Sequence, residues 1–245
     1  MNGASISKSR CCRLGSIVWL VAFAAGAGCT PYIGTTYKSF LRQVHENADP
    51  NIRYVAYAKL GSPGLYENAA QKGEAVRALI AKFQEGREPV AVRAAIIRSL
   101  GNLRDRRARD VVVKAANDVE NPLIRIEACR ALGKVGLPED ATLLARIMTI
   151  DKLEDCRIAA IESLGMLKAE DPRIYQILLD GMDHDDPAIR LECLRALREI
   201  THKDLGVDPA AWRRELEPTI ASMSSPSTKP ASPPRSAPIR GGHPQ

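Results

Sequence analysis

Three cysteines have side chains that could bind a metal or act as nucleophiles. Cys129, Cys156 and Cys193 lie 27 and 37 residues apart, and the sequence contains no Cys-x-x-Cys pair. A zinc site needs closely spaced ligand pairs, which this spacing does not supply. All three fall on apolar positions of the helical pattern described below. We therefore predict buried free thiols that pack as small hydrophobic side chains, and we assign no metal ligands.

One histidine lies in a turn of acidic residues, Asp183-His184-Asp185-Asp186. Such a cluster could attract a cation, but Asp186 precedes a proline and is expected to cap a helix, so a solvated turn is the preferred interpretation. The sequence contains no G-x-S-x-G motif, no Walker motif and no nucleophile–base pair. We assign no catalytic residue and no cofactor, and we predict that the protein is not an enzyme.

The elements that position these residues form an internal repeat. Five segments align on an arginine, with anchors 40, 32, 32 and 33 residues apart. Extra residues around 62–73 account for the longer first interval. Four segments place a glycine eight residues after the anchor, whereas the fifth has Arg198 there. The anchors are Arg53, Arg93, Arg125, Arg157 and Arg190.

Each anchored segment has apolar residues at the spacing of an amphipathic helix, and a second helical run separates one segment from the next. Paired short helices bury their apolar faces by stacking on neighbouring pairs, which predicts an all-α solenoid of about five helix pairs. Residues 204–221 are predicted to form a C-terminal capping helix. There Asp208 is the N-cap, Val207 packs on Trp212 as a hydrophobic staple, and Trp212 is structural.

The Asp-Pro-x-Ile-Arg…Ala-Leu-Gly pattern resembles bacterial HEAT repeats of the kind named after phycobilisome lyases, over residues 32–220. The resemblance implies a right-handed superhelix and a structural arginine ladder. It leaves open a lyase-like or oxidoreductase-like enzyme or enzyme accessory that handles a chromophore or a metal. HEAT-repeat iron hydroxylases carry several His-Glu pairs, whereas this sequence has only His45-Glu46. A nucleic-acid-binding HEAT protein is a further alternative.

Residues 1–28 have the features of an export signal. Three basic residues precede an apolar run from Leu14 to Ala27, and the run ends at Gly26-Ala27-Gly28-Cys29. Small residues before a cysteine resemble the lipobox of bacterial lipoproteins, although Gly26 replaces the usual bulky aliphatic residue. We expect lipidation at Cys29, with plain cleavage or retention of the signal as alternatives. By family analogy, Thr30 favours the outer membrane, facing the periplasm.

The net charge of +6 comes from the two ends of the chain. Residues 1–28 and 222–245 each carry three basic residues and no acidic one, so residues 29–221 are electrically balanced with 29 of each sign. The proline- and serine-rich segment 222–245 is predicted to be a disordered tail. An electrically balanced solenoid does not suit a nucleic-acid partner.

The best candidates for partner binding are outward-facing charges on the anchored helices, which line the concave side of HEAT solenoids. Arg130 can pair with Glu127 and Arg195 with Glu192, whereas Arg98 lacks a local acidic partner. The alternative is a salt-bridged surface without a ligand. We predict a non-catalytic, membrane-anchored scaffold of the bacterial envelope that binds a protein. Its partner and oligomeric state stay open.

Overall fold

A computed structural model describes residues 34–224, and within this range every regular element is helical. Eleven α-helices alternate with three short 3₁₀ turns at Pro63–Leu65, Arg106–Ala108 and Pro138–Asp140. The helices are α1 (Tyr37–Glu46), α2 (Pro50–Leu60), α3 (Ala69–Glu85), α4 (Val90–Leu103), α5 (Arg109–Ala116), α6 (Pro122–Val135), α7 (Ala141–Ile150), α8 (Glu154–Leu167), α9 (Pro172–Gly181), α10 (Pro187–Thr201) and α11 (Pro209–Ser224).

Local sequence signals fix where several helices begin. The side chains of Asp49, Asp171 and Asp186 each accept a hydrogen bond from a backbone N–H in the first turn of the following helix. A proline follows each aspartate at the first helical position, where its missing N–H would have no intrahelical partner. The Asp-Pro pairs therefore set the starts of α2, α9 and α10.

The helices form five antiparallel pairs arranged in two layers. The pairs are α1–α2, α3–α4, α5–α6, α7–α8 and α9–α10, and the final helix α11 packs on α9. Helices α2, α4, α6, α8 and α10, here called the inner layer, pack closely on one another in chain order. The other helices form the outer layer, in which the successive helices from α3 to α9 touch much less. A two-layer stack bends toward its more closely spaced layer, so the inner layer lies on the concave side.

Glycines allow the close approach within the inner layer. A Cβ atom added to Gly101 would lie 2.8 Å from the Cα of Ala131 on the next inner helix. Gly61 meets Ser99, and Gly133 meets Ser163, in the same way. The fifth repeat has Arg198 in place of this glycine, and no inner helix follows it in the described range. The glycine eight residues after each anchor is therefore the contact point between repeats.

The prediction of an all-α solenoid of five helix pairs with a C-terminal capping helix is confirmed. The longer first interval contains the 3₁₀ turn Pro63–Leu65 and the 17-residue helix α3. Within residues 34–224, no helix is long and apolar enough to span a membrane. The apolar run at 14–27, Cys29 and residues 225–245 lie outside the described residues.

The end of the solenoid is closed by Trp212. Its side chain is fully buried, and its indole N–H donates to the carbonyl oxygen of Gly206 at 3.0 Å. Asp208 accepts from the backbone N–H of Ala210 and so starts α11, which runs to Ser224. The hydrophobic staple that we predicted is not formed, because Val207 is 77% exposed. Trp212 is held by the packing of α11 and by its indole hydrogen bond.

Candidate functional site

The concave face of the inner layer, here called the inner surface, carries two pockets. One pocket of about 280 Å³ lies between α4 and α6, and another of about 230 Å³ lies between α8 and α10. Most of their lining side chains are charged. The first is lined by Arg98, Asn102, Glu127, Arg130, Ala131 and Lys134. The second is lined by Glu162, Gly165, Glu192, Arg195, Ala196 and Glu199.

Arg98 is paired across the boundary between two repeats. Its Nε and Nη2 atoms donate to the two carboxylate oxygens of Glu127 at 2.9 and 2.7 Å. This hydrogen bonding raises the pKa of the Arg98 guanidinium and outweighs the opposing effect of burial. The side chain of Glu127 is 6% exposed and that of Arg98 is 48% exposed. The pair therefore presents a half-exposed guanidinium on a buried carboxylate.

The other predicted surface residues are paired as well. Arg130 lies 3.8 Å from Glu127 and 3.6 Å from Glu162 of the next repeat. Arg195 donates to Glu192 at 2.5 Å within its own helix. The i,i+3 pairs follow the sequence pattern. The links from Arg98 to Glu127 and from Arg130 to Glu162 cross between repeats, and the sequence alone did not indicate them.

The two pockets of the inner surface have opposite charge. The α4–α6 pocket is lined by three basic side chains and one acidic side chain, whereas the α8–α10 pocket is lined by three acidic side chains and one basic side chain. Sequence reasoning missed Asn102, Lys134 and Glu199. They lie nine residues after their anchors, on the same helical face as the column at five residues, and this spacing could have revealed them.

Two of the five anchor arginines bind a carboxylate in the loop that precedes the next inner helix. Arg53 makes two 2.8 Å hydrogen bonds to Glu88, and the Tyr57 hydroxyl donates to the same carboxylate. Arg125 binds Asp151 at 2.6 and 3.1 Å. Both anchors also donate to backbone carbonyls of the turn before their own helix. They join neighbouring repeats along one edge of the solenoid.

The other three anchors lack such a carboxylate. Arg190 donates to the carbonyl oxygens of His184 and Asp185. The Arg93 guanidinium lies over the Phe83 ring, 4.9 Å from its centroid, and its buried Nε has no hydrogen-bond partner. Arg157 also has a buried unpartnered Nε, and its Nη1 lies 3.4 Å from Nε2 of His184. The ladder is therefore irregular in its partners.

The described cysteines are buried free thiols. Cys129, Cys156 and Cys193 have no exposed surface, and no disulfide joins them. Burial raises the pKa of Cys129 and that of Cys193 to about 12, and it also raises the pKa of Cys156. Thiols held in this way are not nucleophiles at neutral pH.

His184 is held within the turn that contains it. Its Nδ1 atom accepts a hydrogen bond from the backbone N–H of Asp186 at 3.0 Å. Among residues 34–224, no group of three or more acidic, histidine or cysteine side chains is arranged to hold a metal ion. The turn also starts α10, where Asp186 accepts a hydrogen bond from the backbone N–H of Ala188 at 2.8 Å.

Comparison with known proteins supports the repeat assignment. Residues 76–165 match the family model of HEAT repeats. Solved structures with similar folds include the complex of CpcE and CpcF of phycocyanin lyase from Nostoc sp. PCC7120. That match covers 77% of this chain and 71% of the other, with a TM-score of 0.56 and 18% sequence identity. No curated protein matches the chain.

This similarity corrects one prediction from the sequence. We expected a protein that is not an enzyme, and that prediction is contradicted because the similar structure is that of a lyase complex. At 18% identity, the similarity establishes a shared fold. The absence of a catalytic motif does not exclude an enzyme, since a helical repeat can bring together side chains that are distant in sequence and form no motif.

Proposed function

We propose that this chain is a lyase-like HEAT-repeat protein, an enzyme or an enzyme accessory, that holds a protein partner on its inner surface. The observation that carries the proposal is the similarity over 77% of the chain to a complex of two lyase proteins, CpcE and CpcF. In that structure CpcE and CpcF are bound to each other. The inner surface offers this chain a place for such a partner.

The chemistry of the inner surface supports protein recognition. Its guanidinium groups are half exposed, and they are held on carboxylates that are largely buried, as in the pairs Arg98–Glu127 and Arg195–Glu192. A charge that is oriented before binding loses less side-chain entropy when a partner arrives. Electrostatic complementarity of this kind contributes to partner selectivity and association rate.

Site-specific crosslinking tests the location of the partner. A photoreactive amino acid is placed at Asn102 on the inner surface, and the matched control carries it at Lys114 on the outer helix α5. We expect position 102, but not position 114, to give a discrete crosslinked adduct that mass spectrometry identifies. Equal crosslinking at both positions, or none at position 102, would contradict the proposed location.

A chromophore titration tests the lyase-like part of the proposal. Biliverdin, a bilin with two carboxylate groups, is added to the purified protein alone and with any crosslinking partner, and visible absorbance is recorded. We expect saturable binding that weakens in Arg130→Ala/Lys134→Ala and is unchanged in Lys114→Ala, because guanidinium and ammonium groups pair with carboxylates. No saturable binding under either condition would exclude bilin handling.

Membrane attachment through Cys29 is a separate part of the proposal, and its support is the lipobox-like sequence Gly26-Ala27-Gly28-Cys29. Acylation there would place the solenoid on the periplasmic side of the bacterial envelope, with the outer membrane favoured. Cys29→Ala is expected to abolish labelling by radioactive palmitate and to release the protein from membranes. Cys12→Ala is the control. Labelling that persists in Cys29→Ala would rule out this anchor.

A further inference from the structure

The inner surface is electrically polar, because its two pockets have net charges of opposite sign. Arg98, Arg130 and Lys134 dominate the α4–α6 pocket, whereas Glu162, Glu192 and Glu199 dominate the α8–α10 pocket. Residues 29–221 contain equal numbers of acidic and basic residues, so their net charge does not reveal this separation. A ligand with a single sign of charge would be attracted by one half and repelled by the other.

The charges that define the two halves are held in place. Glu127 accepts two hydrogen bonds from Arg98 and lies near Arg130, so one buried carboxylate orients two basic side chains. In the other half, Glu192 is 15% exposed and binds Arg195. Glu162 and Glu199 are exposed. Glu162 lies 3.6 Å from Arg130 of the other half, and Glu199 forms no ion pair among the described residues. With three acidic side chains and one basic side chain, this half keeps a net negative charge.

The fold sets the distance between the two halves. The α4–α6 and α8–α10 pockets are separated by two steps of the inner layer, and neighbouring packed helices are about 8–10 Å apart. The centres of the pockets are therefore about 16–20 Å apart, while Arg130 and Glu162 at their facing edges lie 3.6 Å apart. An extended polypeptide advances about 3.3 Å per residue, so about five or six residues bridge the distance between the centres.

From this arrangement we infer that the inner surface binds an extended protein segment with an acidic block and a basic block whose centres are about five or six residues apart. The acidic block lies on Arg98, Arg130 and Lys134. The basic block lies on Glu162, Glu192 and Glu199. This inference rests on the proposed function and adds to it the chemical pattern of the partner.

Two peptides of identical composition provide the test. The block peptide has three glutamates, a Gly/Ser spacer of about three residues and three lysines, so that the block centres are about six residues apart, and the alternating peptide has the same residues with the charges interleaved. Fluorescence anisotropy at low salt measures binding to the full chain. We expect the block peptide to bind about tenfold more tightly, since three exposed ion pairs of about 0.5 kcal/mol each give that ratio. Equal affinities would overturn the inference.

Charge-reversal variants give a switch of specificity that does not depend on absolute affinity. Arg130→Glu/Lys134→Glu gives both pockets a net negative charge, so the inner surface should prefer an all-lysine peptide. Glu162→Lys/Glu199→Lys gives both pockets a net positive charge, so the inner surface should prefer an all-glutamate peptide. The control Arg106→Glu/Lys114→Glu reverses two exposed bases outside the inner surface and should keep the block preference. A loss of preference in the control would also overturn the inference.

Misfolding and failure of the proposed function can each be recognised. Circular dichroism checks helicity, and the neutral variant Arg130→Gln/Lys134→Gln should weaken the block peptide about threefold to tenfold without reversing the preference. If the peptides are not distinguished while position 102 still crosslinks to a partner, this inference fails and the proposed function stands. If position 102 gives no adduct, the proposed function fails.

Discussion

Arg98 of the second repeat donates two hydrogen bonds to Glu127 of the third repeat, and this pair links the inner helices α4 and α6. The acceptor is buried and the donor is half exposed. Removing the donor would leave a carboxylate that is largely cut off from water, with Arg130 at 3.8 Å as its nearest basic neighbour. The pair therefore serves both the inner surface and the junction between repeats.

Two arginines of the inner surface, Arg98 and Arg195, should contribute unequally to the free energy of unfolding. Arg98→Ala should lower the free energy of unfolding by about 2 kcal/mol, because a buried carboxylate loses its bidentate partner. Arg195→Ala, which breaks a more exposed pair within one helix, should cost about 0.5 kcal/mol. Urea unfolding measures both values. Equal losses would show that burial of Glu127 does not matter.

The second prediction concerns the close contact between α4 and α6. In Gly101→Ala, the new methyl group would meet the backbone of Ala131 at 2.8 Å, so the inner helices must move apart. We expect a loss of about 2 kcal/mol or more in the free energy of unfolding. Gly64→Ala is the matched control, since nothing lies within 4 Å of its added Cβ atom. A stable Gly101→Ala protein would contradict the close approach.

The third prediction concerns the carboxylate that holds Arg53. The side chain of Glu88 is 8% exposed and accepts hydrogen bonds from both Arg53 and Tyr57. Glu88→Ala removes the acceptor of the Tyr57 hydroxyl and of the Nε and Nη2 atoms of Arg53, and it should cost about 3 kcal/mol. Glu85→Ala, which removes an exposed i,i+3 partner of Lys82, should change stability by less than about 0.5 kcal/mol. Thermal and urea unfolding compare the two variants.

The repeat was readable from the sequence because one contact recurs at a fixed spacing. The glycine eight residues after one anchor meets a small residue six residues after the next, as in Gly101 with Ala131 and Gly165 with Ala196. Helical periodicity then predicts the paired helices. Arg198 occupies the glycine position of the fifth repeat. A large side chain fits there because no further inner helix packs against α10 in the described range.

The partners of the charged side chains were not readable in the same way. Arg53 finds its carboxylate 35 residues later and Arg125 finds its carboxylate 26 residues later, mainly because the intervening outer helix has 17 residues in α3 and 10 in α7. Arg157 meets His184 instead of a carboxylate. Such relationships follow from the fold and have no fixed spacing in the chain.

The last prediction concerns alkaline pH and the buried thiols. Burial raises the folded-state pKa of Cys129 and that of Cys193 from 9.0 to about 12. Between these values the unfolded chain releases the thiol protons while the folded chain retains them, so stability falls as pH rises from about 9 to about 12. Each thiol contributes a slope of about 1.4 kcal/mol per pH unit in the middle of that window.

Replacing these thiols should flatten the alkaline decline. In a chain with Cys11, Cys12 and Cys29 changed to serine, Cys129→Ala/Cys193→Ala should be less stable at pH 7, because two small cavities form. Between pH 9 and pH 11, its free energy of unfolding should decrease less than that of the parent, because two thiols that release protons on unfolding have been removed. Urea unfolding across this range measures the slopes. Parallel slopes would mean that Cys129 and Cys193 ionise as readily in the folded protein as in the unfolded chain, and would therefore contradict their burial.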